Sequence, residues 1–195
     1  MERIKTLSLW SGILGFVVVA LGAWTRLADA GLGCPDWPGC YGFVTIPVSP
    51  EEIDIANAKF PDTPYEVAKA IPEVVHRYFA AALGFMILCI AFLAFRYKDL
   101  PSDVRKLSFF LIAWVIMQGT FGYWTVSLKL WPQVVTTHLM SGFLTTGLLW
   151  LLYFKTKDRL QNRATWDFGA TTKKLFNVSI VLAVSYTHLT LPTKA

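Results

Sequence analysis

Two histidines, His76 and His138, lie inside long apolar stretches of the chain. Ionisable side chains in such stretches are costly and mark functional sites. His76 follows Pro72 by four residues, and His138 follows Pro132 by six. At about 1.5 Å rise per residue, helices starting level at those prolines hold the imidazoles within roughly 3 Å of one depth. Two facing imidazoles at similar depth in a helix bundle are a ready axial pair for a haem iron. Each histidine alone reads equally as a hydrogen-bonded interfacial side chain. A divalent ion fits less well, because two histidines without carboxylates at the proper depth underfill its shell.

Around this pair stand charges that suit the same chemistry. Glu73, His76 and Arg77 fall at i, i+3 and i+4 and share one helix face. Glu73 near the edge of a bound macrocycle could handle a proton; the plainer reading is a Glu–Arg pair that anchors the helix end. Arg77 and Arg26 could pair with propionates, or simply snorkel to the interface. Cys34-Pro-Asp-Trp-Pro-Gly-Cys40 is a short loop closed by two cysteines. On an oxidising side of a membrane these form a disulfide. Zinc is the alternative, but the loop has no histidine and no third cysteine, and zinc wants four ligands. Cys89 reads as a small buried thiol. Trp24, Trp124 and Trp131 suit an aromatic belt, and Gly119 and Gly122 a close approach of helices or of a macrocycle.

Four apolar segments must position these groups: 7–24, 74–95, 107–126 and 134–154. Each meets the length of about 20 residues that a membrane span needs. Composition agrees, with 54% hydrophobic and only 16% charged residues in 195. A disordered chain or a nucleic-acid tail is excluded, and the net charge of +5 forms no single patch. Lys and Arg crowd before the first segment, between the second and third, and after the fourth. Segment 27–72 holds only Lys59 and Lys69. This bias predicts a cytoplasmic N-terminus and an outward-facing first loop. A cleavable secretory leader ending near Ala28-Asp29-Ala30 is the rival; the long apolar run, Arg26 and three further spans argue against it. No Arg/Ser-rich presequence is visible, so a bacterial inner membrane is expected rather than an organelle.

In the first loop, Ser49-Pro50-Glu51-Glu52 is a capping box with Pro at the first helical position, and Thr63-Pro64-Tyr65-Glu66 repeats the signal. Two short helices are therefore expected against the ends of the bundle. A fifth apolar run begins at Leu175 and stops near Val184, about half the required length. The reading is an all-α membrane protein: a four-helix transmembrane bundle, the start of a fifth helix, and short helices in the first outer loop. Residues 1–154 form the haem-binding half, 155–184 a cytoplasmic loop and truncated helix, and 185–195 a non-native tail. His188 is left out of the site for that reason.

The segment Thr25-Arg-Leu-Ala-Asp-Ala-Gly-Leu-Gly-Cys-Pro-Asp-Trp-Pro38, the motif Glu73-Val-Val-His76-Arg77, Gln118-Gly-Thr-Phe-Gly122 and Pro132-Gln-Val-Val-Thr-Thr-His138-Leu together resemble the haem A synthase family. The likeness spans roughly residues 5 to 184. It implies eight spans in two similar halves, each with a histidine pair, and oxidation of a haem O ring methyl to a formyl group. By it, His76 and His138 receive substrate haem O, Glu73 is the essential carboxylate, and Cys34 and Cys40 are the outer-loop cysteines. Haem b belongs to the half that is missing. Membrane lipid, a haem O synthase and an electron acceptor are the implied partners, and a homo-oligomer is compatible. Ala30 departs from the family, where Ser is common. A truncated chain of this kind is not expected to complete catalysis alone. The runner-up from another class is a bis-histidine electron-carrying cytochrome, and a third is a structural membrane subunit without haem.

Overall fold

The structure is a computed structural model that describes residues 1–161. Five helices follow in order: α1 Glu2–Leu27, α2 Pro50–Lys59, α3 Val67–Arg96, α4 Ser102–Ser127 and α5 Pro132–Leu160. All except α2 are long and apolar enough to cross a membrane. Backbone groups in lipid must bond within their own segment, and α-helices satisfy that condition. Each helix outruns its apolar stretch at one or both ends, because the ladder of N–H···O=C bonds continues past the hydrocarbon until a cap stops it.

The four long helices pack as a closed ring. α1 lies against α3 and α5, and α4 lies against the same two. Among the described residues α1 does not touch α4, and α3 does not touch α5. α3 and α5, the two helices that bear the histidines, therefore face each other along a diagonal of the bundle.

Apolar packing is split into two levels. Ile4, Ile87, Ile90, Val104, Leu111, Leu149 and Leu152 are fully buried at the end of the bundle away from the long loop. A second cluster of Cys34, Cys40, Tyr41, Ala56, Ala70 and Val74 sits at the loop end, joined by Phe43, Ile46, Phe60 and Tyr65. His76 and His138 fall between the two. The large exposed side chains on the helices, such as Phe16, Phe85, Phe92 and Ile116, face outward where lipid would cover them.

The first loop holds one short helix rather than two. α2 begins as expected: the Ser49 hydroxyl accepts from Glu52 N–H, and the Glu52 carboxylate accepts from Ser49 N–H at 3.0 Å. The second start signal opens α3 itself, whose N-cap is Glu66. Pro72 thus lies inside α3 rather than at its start, in the early turns where a missing N–H is tolerated. Tyr65 connects the two elements, its N–H donating to Asn57 and its hydroxyl to the Pro47 carbonyl. The expected fifth helix and tail, residues 175–195, lie outside the described residues.

Candidate functional site

Each histidine ring is seated on a glycine of the neighbouring helix. A Cβ built on Gly22 of α1 would lie 3.1 Å from His76 Cε1, and one built on Gly122 of α4 would lie 3.2 Å from His138 Cε1. Gly22 and Gly122 each stand five residues before the end of a 26-residue helix, so the rings sit at matching levels. The two imidazoles are near enough to interact electrostatically. Gly119, by contrast, has nothing within 4 Å of an added Cβ.

The rings are held differently. His76 Nδ1 donates to the Val18 carbonyl at 3.1 Å. A carbonyl can only accept, so this nitrogen carries the proton and Nε2 presents a lone pair. His138 Nδ1 is buried with no partner among the described residues. Its main chain is fixed instead: Gln118 Nε2 donates to the His138 carbonyl at 2.8 Å, and the Ser141 hydroxyl bonds to Gln118 Oε1. Neither histidine Nε2 makes a hydrogen bond among the described residues. Two such nitrogens on facing helices are what six-coordinate haem iron requires.

Glu73 and Arg77 are brought together with the disulfide loop. Cys34 and Cys40 are joined, with Cα atoms 4.8 Å apart, and both are fully buried. The Glu73 carboxylate accepts from Arg77 Nη2 at 2.5 Å and from Cys34 N–H at 2.9 Å. Arg77 Nη1 donates to the carbonyls of Asp36 at 2.9 Å and Gly39 at 2.5 Å. The loop's own turn is closed by Asp36, whose carboxylate accepts from the N–H groups of Tyr41 and Gly42. Trp37 packs edge-on against Tyr123 of α4. The loop is thereby clamped across the end of the bundle. Gly33 is required here: a Cβ at that position would fall 2.3 Å from the Lys69 carbonyl oxygen. The Glu73–Arg77 pair anchors more than a helix end, since it ties α3 to a loop some forty positions earlier in sequence.

Arg26 lies in the last turn of α1, half-buried. Trp24, Trp124 and Trp131 are exposed at the loop end, as an aromatic belt would be. Among the described residues no group of three or more His, Cys, Asp or Glu could hold a bare metal ion.

A repeat runs through this arrangement that the sequence reading did not find. Gly22-Ala-Trp24-Thr25 ends α1, and Gly122-Tyr-Trp124-Thr125 ends α4. The caps that follow match bond for bond. Ala28 and Ala30 N–H donate to Trp24 and Thr25 carbonyls; Leu128 and Leu130 N–H donate to Trp124 and Thr125. Asp29 and Lys129 adopt φ of 50° and 48°. Pro72-Glu-Val-Val and Pro132-Gln-Val-Val then precede the two histidines. The bundle is two copies of one helix hairpin, α1–α3 and α4–α5, related by an approximate two-fold.

Residues 5–191 match the COX15-CtaA family, described as a cytochrome oxidase assembly protein. The chain belongs to this family. Among curated relatives, the heme A synthase of Shewanella oneidensis is 46% identical over 147 residues, covering 75% of this chain and 44% of that protein. The heme A synthase of Alkalihalophilus pseudofirmus is 28% identical over 62% of this chain and 35% of its own length. Heme A synthase COX15 of Saccharomyces cerevisiae is 27% identical over 77% and 37%. The chain thus spans less than half the length of these relatives. No solved structure matches it.

Proposed function

We propose that this chain is the N-terminal half of a haem A synthase, an oxidoreductase that converts a haem O ring methyl to a formyl group. One observation carries the reading: His76 and His138 stand on diagonal helices, each ring at the same level on its own glycine, with both Nε2 atoms unbonded by the described protein. In it, the pair holds the iron of substrate haem O. Glu73 manages a proton or steadies positive charge at the methyl being oxidised. Arg26 and Arg77 supply positive charge for the propionates; Arg77 does so while bonded to the loop, through its field. The Cys34–Cys40 disulfide stiffens the cap and is available to exchange electrons. Haem b would occupy the other half of the full-length protein, and the present residues are assigned no step with it. A haem O synthase would supply the substrate, and an electron acceptor would take the reducing equivalents. The Lys/Arg bias supports a bacterial inner membrane, with the N-terminus cytoplasmic and the first loop outside.

Haem O titrated into the purified protein is expected to give a low-spin spectrum that His76→Ala and His138→Ala each lose. An unchanged spectrum in both variants would refute the histidine pair. The electron-carrying cytochrome draws on one observation, that the Glu73 carboxylate is already taken up by Arg77 and Cys34. Conversion of haem O in membranes carrying the full-length protein separates the two. Glu73→Ala abolishes conversion and spares the haem spectrum on the synthase reading; intact conversion favours the carrier.

A further inference from the structure

The hairpin repeat gives a strict comparison of the two imidazoles, because Val18 and Gln118 occupy the same place in it, four residues before the glycine that seats the ring. At position 18 the main-chain carbonyl accepts from the ring of His76. At position 118 the side chain donates to the backbone of His138, and the ring nitrogen Nδ1 is left without a partner. One copy of the hairpin holds the imidazole; the other holds only the main chain beneath it.

Resting on the reading of these residues as an axial pair, we infer that the two ligands are unequal: His76 is the fixed ligand and His138 the exchangeable one. A hydrogen bond from the far ring nitrogen sets the tautomer, fixes the ring's orientation and raises the basicity of the ligating nitrogen. Val18 gives all three to His76. His138 receives none of them, and its side chain turns about its own bonds without breaking a hydrogen bond. When a small ligand competes for the iron, the His138 Nε2 bond is the one that breaks, and the incoming ligand's electron pair takes its place. The iron keeps its oxidation state, and His138 returns to a free neutral imidazole. The exchange opens on the α5 side, the face of the site opposite Glu73 and Arg77 on α3.

The probe is haemin, titrated into the detergent-purified chain, with cyanide as the competing ligand. The variants are His76→Gly and His138→Gly. His138→Gly is expected to bind haemin at least tenfold more tightly than His76→Gly, in line with the 10–100-fold that outer hydrogen bonds contribute to ligand sites. The cyanide adduct of the wild type should coincide in its optical and paramagnetic-resonance spectra with that of His138→Gly, since both retain His76. Equal or reversed haemin affinities overturn the inference, as does a wild-type adduct that differs from that of His138→Gly. The second comparison decides the matter even where His76→Gly does not fold. A wild type that gives no low-spin haemin spectrum overturns the histidine-pair reading and this inference with it. A low-spin wild type with symmetric variants overturns this inference alone.

Discussion

Replacing Glu73 with Ala should release the disulfide loop. In the folded chain the carboxylate, buried to 5% exposure, accepts one bond from a guanidinium and one from a backbone N–H. Removing one partner of a buried ion pair typically costs about 3–5 kcal/mol. The low end applies, because Arg77 keeps the Asp36 and Gly39 carbonyls and is not left wholly unpaired. Cys34 and Cys40 have no exposed surface, so a reductant reaches them only when the loop opens. At tenfold per 1.4 kcal/mol, a loss of about 3 kcal/mol raises the open population about a hundredfold. The assay is the rate of disulfide reduction by dithiothreitol, read by thiol alkylation and mass. Glu52→Ala, in the same loop but away from the clamp, serves as the control. Arg77→Ala should accelerate reduction comparably, and the double variant should fall short of the product of the two single effects, since the residues act on each other. A Glu73→Ala rate within threefold of wild type, or independent effects in the double variant, would refute the clamp.

Three further outcomes follow from the same geometry. Gly33→Ala sets a Cβ against the Lys69 backbone, which has no room to yield, and should cost about 3 kcal/mol or more in thermal unfolding; Gly84→Ala, with nothing within 4 Å, should be neutral or stabilising. Asp103→Asn breaks ion pairs to Lys155 at 3.0 Å and Arg159 at 3.6 Å. These are partly exposed, so the loss should be about 0.5–1 kcal/mol at low ionic strength and disappear in molar salt. The N–H groups of Val48 and Ser49 hold the Glu52 carboxyl below the usual carboxylate range. A depressed folded value means that its support of α2 is complete above about pH 4.3, the ordinary glutamate value, and is lost as pH falls through the lowered one. Amide exchange at the start of α2 should show that dependence, and Glu52→Gln should remove it.

The spans were legible because lipid imposes a length and a composition that no other environment does. Their ends were less so. Glu66 begins α3 where an isolated short helix was expected, since a start signal does not say how far the helix will run. The capping box at Ser49 was readable because both partners lie within four residues. The clamp was not, as Arg77 finds its acceptors on main-chain carbonyls, which carry no residue identity. The hairpin repeat was written in the chain as Gly-x-Trp-Thr at positions 22 and 122. Four letters with one free position do not stand out until matching caps and ring seats show that they do the same work. The unequal treatment of the two histidines was beyond sequence, because it turns on one backbone oxygen.

The approximate two-fold bears on which edge of a flat guest meets the carboxylate. A pocket made of two near-copies offers almost the same walls to a disc and to the same disc turned over. Orientation can then be decided only where the copies differ, at Val18 against Gln118 and at Glu73 against Gln133. Regiochemistry in such a site is a matter of broken symmetry, and those four positions are where it is broken.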